Sequence, residues 1–432
     1  MKSLKGASLL ALGLAFILVG FWGAGCTQSD SGTIKISSWG DVKENAILQG
    51  LIDDFQKIHP DVKVELQRVP WGEYNTKLLT QYAGGIAPDV IFASTDNIGD
   101  LYYRGVLEPL DPYIQADKDF SLKDFYPTLI NRFTVNGSLY VLPRDISPVC
   151  VIYYNKKAFD ESKVPYPTDD WTWDQFVAAG KKVTKVDATG KVTRWGFVDD
   201  WPMFDTWVYD AGGSFADNVK HPTKWTFATD PNTLKGIQFR ADMMNKFKMM
   251  LPPSGLTAMG GMGTGDMFTN GTVAMFLSGI WKTPTFRMAK DLKWDVVMVP
   301  KNPTGFRGFG TGGSGYGILK SSTHKNEDWE LVKYISGEIG AKKLAATGLA
   351  QPAIMSAANS PLFLDGQDPQ NKKMLFEAMK YVKYNPMCKN WFEVHDSIIG
   401  PELEKVWNGT ETAEAAMEKL KPILEKNPPQ VQ

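Results

Sequence analysis

The stretch TIKISSWGDVKENAILQGLIDDFQKIHPDVKVEL, residues 33–66, decides the fold because it alternates between the patterns of strands and of a helix. It opens with TIKISSW, a short β run, and closes with DVKVEL, where apolar and polar residues alternate as in a half-buried strand. Between these runs, helical spacing brings four apolar side chains to one face: Ile47, Leu51, Phe55 and Ile58. A helix between two strands predicts a βαβ unit and a largely parallel sheet.

The alternation continues along the chain. The segment GEYNTKLLTQYAGG predicts a helix that ends at two glycines, and PDVIFAS predicts a buried strand. Residues 139–155 form a crossover into a second α/β region, in which Thr172 and Gln175 stand at capping-box spacing. We also predict strands in 194–200 and 293–300, and helices over 232–247, 325–348, 368–383 and 412–426. The pattern predicts two α/β lobes joined by more than one crossover.

A glycine-rich stretch, FRGFGTGGSGYGILK at 306–320, raises the question of a dinucleotide site. Gly308, Gly310 and Gly313 satisfy the pattern G-x-G-x-x-G. A dinucleotide loop must follow a strand directly and open a helix, whereas the segment after these glycines has the pattern of an extended chain. The glycines instead indicate turns and a close approach of a ligand or strand to the backbone.

The composition argues against nucleic acid as a partner. The 432 residues carry 47 Lys and Arg against 48 Asp and Glu, so the formal net charge is −1, and the signs are mixed along the chain. Nucleic-acid binding requires a basic face. Aromatic residues reach 12%, and the 14 Trp exceed what packing alone usually requires.

Motifs for catalysis, metal or cofactor are not found in the sequence. The four histidines are far apart and none stands at zinc-ligand spacing. Neither a G-x-S-x-G elbow nor a Walker loop occurs. The adjacent acids Asp199 and Asp200 leave a glycosidase open, although such pairs more often form a solvated turn. We therefore expect no cofactor and no metal.

The amino terminus predicts export. Lys2 and Lys5 precede an apolar run, GASLLALGLAFILVGFWGAG, and then Cys26. This arrangement resembles a bacterial lipoprotein signal over 1–26 whose Cys26 becomes acylated, followed by a flexible tether over 27–32. An uncleaved anchor helix and a plain cleaved signal are the alternatives. All three place residues 27–432 outside the cytoplasm, in the periplasm or on the outer face of the cell membrane. In such a compartment Cys150 and Cys388 could form a disulfide, or both could be free buried thiols.

Eight segments in order resemble the extracellular solute-binding proteins of sugar ABC transporters, the group that includes maltose-binding protein. They are SSWGD at 37–41, LIDDFQKIHPDVKVEL at 51–66, WGEYNTKLLTQYAGGIAPDVIFASTDN at 71–97, GVLEPLDPYI at 105–114, NGSLYVLPRDISPVCVIYYNKKAF at 136–159, PTDDWTWDQF at 167–176, FTNGTVAMFLSGIW at 268–281 and GGSGYGILKSSTHKNEDWELVKYIS at 312–336.

The resemblance implies a periplasmic-binding-protein-like α/β fold with two lobes, hinge crossovers and a ligand cleft between the lobes. The first lobe would hold 33–143 plus about 300–350, and the second 150–298 plus about 351–432. The resemblance also implies a monomer without catalytic activity that captures a carbohydrate by closing its lobes. The loaded protein would deliver the carbohydrate to membrane permease subunits, held at the membrane by its N-terminal lipid anchor.

In the first lobe, the candidate ligand contacts follow predicted strands. Trp39, Gly40 and Asp41 end the first strand, at the carboxyl edge where α/β sheets bind ligands. Asp96 follows PDVIFAS at the same edge and aligns with a family position that hydrogen-bonds sugar. The competing interpretations are a core role for Trp39 and a turn-forming role for Asp96.

The crossovers supply further candidates. Arg144 and Asp145 lie where the family uses an acid, although they could also pair with each other. Gly312 and Gly313 would line the cleft with their backbone.

In the second lobe, AMFLSGIW resembles the family segment whose Trp stacks on the sugar, and this assigns Trp281, with Gly279 letting the ligand approach. Trp201 and Asp205 fall near another contact segment, whereas Trp207 is expected in the core. Rings with electron-rich faces suit the apolar face of a sugar, and charged groups suit its hydroxyl rim.

A last aromatic candidate lies near the carboxyl terminus. Trp391 opens WFEVH, close to a family aromatic that stacks on the sugar, and Phe392 could be the true equivalent. His395 follows one helical turn later and could reach the cleft, although a surface position is the more usual one.

Other functions stay open at this point. An exported glycosidase would need two carboxylates across a cleft, and a lipoprotein of the same fold could serve a receptor or adhesion instead of a permease. Within the binding class, peptides, polyamines, ferric ions and phosphorylated polyols are alternatives to sugars. Glycerol phosphate would require Arg144 and Arg307 to converge.

Overall fold

The computed structural model describes residues 32–200, 203–258, 262–310 and 312–432. The predicted signal with Cys26, most of the predicted tether, and the candidate Trp201 lie outside the described residues. The described chain forms two lobes, each built on its own β-sheet and its own apolar core.

Six strands form the sheet of the first lobe. In order across the sheet they are Gln351–Pro352, Leu142–Ile146, Ser314–Ile318, Val90–Ser94, Thr33–Ser38 and Lys63–Arg68. The strands 33–38, 63–68 and 90–94 pair in parallel, as the βαβ pattern predicts, whereas the other three pair in antiparallel fashion. The prediction of a largely parallel sheet is therefore wrong. The chain leaves this lobe and re-enters it at the same edge, so the re-entering strand runs in the opposite direction.

Four strands form the sheet of the second lobe. In order across the sheet they are Val198–Asp199, Met275–Ser278, Val151–Asn155 and Trp294–Met298. The central strand 151–155 pairs in antiparallel fashion with both of its neighbours. It follows the crossover directly, so its amino end lies close to the first lobe.

The longer helices agree with most of the sequence predictions. They are Val42–Ile58, Trp71–Ala83, Trp173–Val183, Pro231–Asn245, Lys325–Ser336, Glu338–Thr347, Gly400–Trp407 and Ala413–Lys426, with the shorter Pro127–Phe133 and Phe204–Asp210. The capping box of Thr172 and Gln175 is present in full, with both reciprocal hydrogen bonds. The predicted helix 325–348 is divided at Gly337. The predicted helix 368–383 is wrong, because only Met374–Ala378 is α-helical there.

The glycine-rich stretch adopts the extended form expected from its sequence. Ser314–Ile318 is the strand by which the chain re-enters the first lobe, between 90–94 and 142–146. Gly315 allows this close approach, because a Cβ there would lie 2.2 Å from the carbonyl oxygen of Leu142. The stretch opens no helix, which excludes the geometry of a dinucleotide loop.

The two cores interlock near the lobe boundary. The core of the first lobe includes Ile354 and Ala357, whereas Ala350 belongs to the core of the second. Near the carboxyl terminus, Met387 packs in the first core and its neighbour Cys388 in the second. We therefore propose that the first lobe extends beyond the expected end near 350, to about 357.

Both described cysteines are free and buried. Cys150 and Cys388 form no disulfide, which decides between the two alternatives that the sequence left open. Burial raises the pKa of the Cys388 thiol to about 12, so this thiol stays protonated and unreactive at neutral pH. Within the described residues, no helix has the length and apolar character needed to cross a membrane.

Candidate ligand-binding cleft

The candidate site is a cleft in which the edges of the two sheets face each other. In the first lobe, the carboxyl ends of 33–38, 90–94 and 142–146 share one edge with the amino end of 314–318. In the second lobe, the strand 275–278 ends at the opposing edge, beside the start of the central strand. Many of the sequence-predicted contacts follow these strand ends, which explains why chain segments far apart in sequence meet here.

Two cavities occupy the cleft, and they share Trp71 and Asp96. The Trp281 cavity has a volume of about 270 Å³. Its lining includes Trp39, Gly40, Asp41, Asp96, Arg144, Asp145, Trp281 and Gly312, so the structure brings most of the predicted contacts together. The His395 cavity has a volume of about 440 Å³, and its lining includes the predicted Asp96, Asp205 and Trp391.

Trp39 belongs to an aromatic wall of the first lobe. Its ring centroid lies 4.8 Å from that of Trp71, 4.7 Å from that of Tyr74 and 4.2 Å from that of Phe92. Trp39 is only half-buried, so part of its ring faces the Trp281 cavity. Trp71, at the start of its helix, is 36% exposed and extends the aromatic wall toward the second cavity.

Trp281 forms the opposing wall, and two glycines make room for its ring. A Cβ added to Gly279 would lie 1.8 Å from a ring carbon of Trp281, and one added to Gly312 would lie 3.1 Å from the ring. Gly279 thus supports the ring from behind instead of lining the cleft. Gly312 donates its backbone N–H to the carbonyl oxygen of Ser147 at 2.7 Å and lines the cavity as expected.

Arg144 and Asp145 line the same cavity but form a buried ion pair. Arg144 Nε donates to Asp145 Oδ2 at 2.6 Å, and its Nη2 donates to Glu44 Oε1 at 2.9 Å. Asp145 also accepts a hydrogen bond from the hydroxyl of Ser314 at 2.6 Å. The guanidinium lies 4.3 Å from the centroid of Phe92. The pair therefore fixes the floor of the cavity, which favours the structural interpretation considered from the sequence.

Asp41 and Gly40 shape the rim of this cavity. Asp41 caps the helix 42–58, because its Oδ1 accepts the backbone N–H groups of Lys43 and Glu44 at 2.8 and 2.9 Å. Its Oδ2 accepts a hydrogen bond from Thr285 of the second lobe at 3.4 Å. Gly40 has a φ of +129°, a conformation that side chains rarely adopt.

The His395 cavity brings together carboxylates from both lobes. Asp96 follows a strand of the first lobe, and Asp205 lies in the first turn of the helix 204–210 of the second. Burial raises the pKa of Asp96 to about 6, with Asp205 adding to the rise and Arg132 opposing it. A partly desolvated carboxylate at the meeting point of the lobes is a strong acceptor for ligand hydroxyl groups.

His395 is half-buried between two carboxylates and lines the cavity, so the expectation of a surface position is wrong. Its Nε2 lies 2.8 Å from Asp205 Oδ1 and its Nδ1 lies 2.6 Å from Asp396 Oδ1. Its ring stacks on Phe204 with 4.7 Å between centroids. Burial by itself would lower the pKa of His395, but the two carboxylates outweigh it and raise this pKa to about 10. The side chain is therefore an imidazolium at neutral pH.

Trp391 needs correction as a stacking candidate. It is 1% exposed, and its ring packs on Phe215 with 5.1 Å between centroids, so almost none of the ring is accessible to a ligand although the residue lines the cavity. Phe392 is half-buried and faces Trp71 across the cavity, with 6.1 Å between centroids. Phe392 is thus the better candidate for stacking on the ligand.

Two other sequence candidates are not among the described residues that line the cavities. Gly313 is buried against the first lobe, where its carbonyl accepts a hydrogen bond from the backbone of Thr95 at 2.9 Å, and it is not among the described residues that line either cavity. Arg307 donates to the carbonyl oxygen of Asp169 at 2.5 Å and likewise lines neither described cavity. The convergence of Arg144 and Arg307 that a glycerol phosphate site would need is not present.

The adjacent acids Asp199 and Asp200 do not form a solvated turn. Arg240 binds Asp199 through two hydrogen bonds of 2.9 Å inside the second lobe. Asp200 accepts from Ser278 at 2.9 Å and pairs with Lys282 at 3.2 Å. In the described parts of the chain, His, Cys, Asp and Glu side chains form no group suited to a metal ion.

Among the lining residues that the sequence analysis did not single out are Trp71 and Asn385, whereas Phe392 was named there only as the alternative to Trp391. Trp71 stood inside a quoted motif, and its position directly after Pro70 at a helix start was the available signal. Asn385 gave no signal, because it lies in an irregular segment and acts through partners 176 to 289 positions away.

Comparisons with known proteins agree with this geometry. The model of the family described as "Bacterial extracellular solute-binding protein" matches residues 39–342. An arabinooligosaccharide-binding protein of Bacillus subtilis is 26% identical over 360 residues, which cover 80% of this chain and 79% of that protein.

Two solved structures are similar in fold. An ABC substrate-binding protein from Listeria monocytogenes in complex with cycloalternan has a TM-score of 0.83 and 29% identity, covering 91% of this chain and 98% of that one. A maltose/maltodextrin-binding domain from Bdellovibrio bacteriovorus bound to maltotriose has a TM-score of 0.77 and 20% identity, covering 92% and 99%. The predicted two-lobed α/β fold is thereby confirmed.

Proposed function

Because the chain belongs to the bacterial extracellular solute-binding proteins, we propose that it captures a carbohydrate between its lobes and passes it to an ABC-transporter permease. The family predicted from the ordered motifs is confirmed by the match. Membership also confirms a binding protein rather than an enzyme.

One observation carries the carbohydrate proposal: aromatic rings and carboxylates from both lobes face the same cleft. Trp39 and Trp71 stand on one wall and Trp281 and Phe392 on the other. Sugars present an apolar C–H face to such rings and hydroxyl groups to charged acceptors such as Asp96. A cavity of about 440 Å³ beside one of about 270 Å³ has room for more than one sugar ring, which favours an oligosaccharide.

The names of the relatives support the same class. One relative is named for binding arabinooligosaccharides, and the two similar structures hold cycloalternan and maltotriose. We propose an oligosaccharide for this chain also. A micromolar site requires about −8 kcal/mol, which two or three stacked rings and several charge-assisted hydrogen bonds can supply after ordering costs.

The first test is a thermal-shift panel on residues 27–432 with maltotriose, arabinotriose, mannotriose, their monosaccharides and glycerol 3-phosphate. A ligand that binds only the folded state raises the melting temperature by mass action. We expect a shift with at least one trisaccharide and none with glycerol phosphate. A chain that melts at the same temperature with every saccharide would contradict the carbohydrate proposal.

The lipid anchor and the delivery to a permease are tested together in cells. We propose that Cys26 is acylated and keeps the protein at the membrane, where a permease receives the sugar. Cys26→Ala is expected to release the protein into the medium or periplasm, to abolish its labelling by fatty acid and to reduce sugar uptake. Full labelling of the Cys26→Ala protein would overturn the assignment. One chain supplies both walls of the cleft, so we propose a monomer, which sedimentation of the purified protein would check.

A further inference from the structure

Asn385 contacts both lobes at the boundary between the two cavities. Its Nδ2 donates to Asp96 Oδ1 at 3.0 Å and to Asp205 Oδ2 at 3.3 Å. Asp96 belongs to the first lobe and Asp205 to the second, and Asn385 itself is 8% exposed and lines the His395 cavity. One amide nitrogen thus joins the two carboxylates that face the candidate ligand.

The backbone and the amide oxygen of Asn385 are also fixed from both sides. Arg132 of the first lobe donates through Nη2 to the Asn385 carbonyl at 2.9 Å, and its Nε donates to the carbonyl of Thr95. Tyr209 of the second lobe donates its hydroxyl to Asn385 Oδ1 at 2.6 Å. With these bonds made, the side chain has little freedom to leave its position.

We propose that Asn385 is a positioning residue that holds the carboxylates of Asp96 and Asp205, one from each lobe, at a fixed separation on the floor of the cleft. The inference rests on the proposed function, because it assigns these carboxylates to the recognition of sugar hydroxyl groups. In the described part of the chain, Asp96 Oδ2 accepts no hydrogen bond, so it remains available to a ligand while Oδ1 is held.

An amide suits this position better than other side chains of its size. Two carboxylates close together repel each other in a site shielded from water, and two N–H donors on one nitrogen offset this repulsion without adding charge. Leucine would fill the same volume but leave both carboxylates without their donor, and aspartate would add a third negative charge.

The charged and titratable groups around Asn385 come from several elements. Arg132 lies on the helix 127–133, Tyr209 and Asp205 on the helix 204–210, and Asp96 after the strand 90–94. Tyr384 precedes Asn385, and its ring lies 5.1 Å from the guanidinium carbon of Arg132. His395 acts through its bond to Asp205. A carboxylate at position 385 would therefore face two acids against one imidazolium and one guanidinium.

The first experiment needs no ligand. Asn385→Asp is expected to melt about 5 °C below the wild type at pH 8 and about half as far below it at pH 5. At the lower pH, a proton held among the three carboxyl groups restores a donor at position 385. The matched control is Asn390→Asp, because Asn390 is equally buried but bonds only backbone atoms, Pro428 O at 3.0 Å and Gln430 N at 2.9 Å. A buried carboxyl at position 390 also titrates, but it faces no other carboxylate, so the Asn390→Asp deficit is expected to change less between pH 8 and pH 5 than the Asn385→Asp deficit does. An Asn385→Asp deficit that changes with pH no more than the Asn390→Asp deficit would overturn the proposal.

The second experiment uses the saccharide that gives the largest shift in the panel above, with affinities measured by calorimetry at pH 6.5. Asn385→Ser, which adds no charge and keeps one donor, is expected to bind at least tenfold more weakly than the wild type, while Asn390→Asp binds like the wild type. If folded Asn385→Ser binds the saccharide as tightly as the wild type does, the positioning role is overturned. This test remains possible even if Asn385→Asp does not fold. If no saccharide binds the wild type but the pH-dependent deficit is found, the proposed function fails and the link between the carboxylates stands.

Discussion

Replacing Trp281 by alanine is expected to weaken saccharide binding about 30- to 100-fold while leaving the protein folded. This loss corresponds to about 2–3 kcal/mol, the usual effect of removing a central aromatic contact. The ring of Trp281 fills the space beside Gly279 and Gly312 and forms the second-lobe wall of its cavity. Because the ring is only half-buried in the free protein, its removal leaves no large hole in the core. Calorimetry with the saccharide identified by the panel measures the change.

A second tryptophan of the same lobe separates loss of binding from loss of stability. Trp195 is half-buried like Trp281 and packs on the same core, but it is not among the described residues lining either cavity. Trp195→Ala is expected to lower the melting temperature and keep wild-type affinity. Equal affinities for folded Trp281→Ala and the wild type would remove Trp281 from the binding site.

The second large effect is expected on stability, at His395. His395→Gln should lower the free energy of unfolding by about 3 kcal/mol at pH 7, because it leaves two carboxylates without their cation. Asp205 contributes more of this stabilisation than Asp396, because the Asp396 side chain is 60% exposed and solvent screens its attraction to His395. The pKa of His395 in the folded protein, about 10, lies above its ordinary value of 6.5.

The sign of this shift sets the pH dependence. A group whose pKa is raised on folding stabilises the protein fully below its unfolded pKa and loses that contribution as the pH rises through the folded one. The difference between wild type and His395→Gln should therefore be largest near pH 6.5 and close as the pH approaches 10. Asp96, with a pKa of about 6, titrates below this window. Urea unfolding at pH 7, 8.5 and 10 measures the trend.

An exposed histidine supplies the control for this series. His221→Gln changes the same residue type in a surface loop of the same lobe and should alter the unfolding free energy by less than about 0.5 kcal/mol at every pH. A constant difference between wild type and His395→Gln from pH 7 to 10 would show that the ion pair does not carry the stability.

The parts of the fold that sequence predicts are those determined locally. The helix Ala413–Lys426 and the capping box at Thr172 follow from spacing and caps within a few residues. The predicted helix over 368–383 failed because its central residues suit a helix while the flanking turns depend on distant partners. Asn371, for example, is held by Asp295 and Val296 of the second sheet.

The site residues also fall into those that local sequence predicts and those that it does not. Trp39 and Asp96 could be predicted because they directly follow strands whose carboxyl ends meet at one edge. Phe392 could not be separated from Trp391, because the two rings are adjacent in sequence and which of them faces the cleft depends on how this helical segment packs on the second lobe. The role of Asn385 could not be predicted, because its partners come from both lobes and no local sequence pattern shows that they meet.

The re-entry of the chain into the first lobe has a consequence for biosynthesis. The strand Ser314–Ile318 stands in the middle of the first sheet, yet it is made after the whole second-lobe sheet. A ribosome-bound or partly exported chain that ends before residue 314 leaves the strands 90–94 and 142–146 without their common neighbour. The first lobe therefore cannot complete its sheet until more than two-thirds of the polypeptide has been synthesised. Until then the first lobe lacks a central strand of its sheet, whereas all four strands of the second-lobe sheet have already been made.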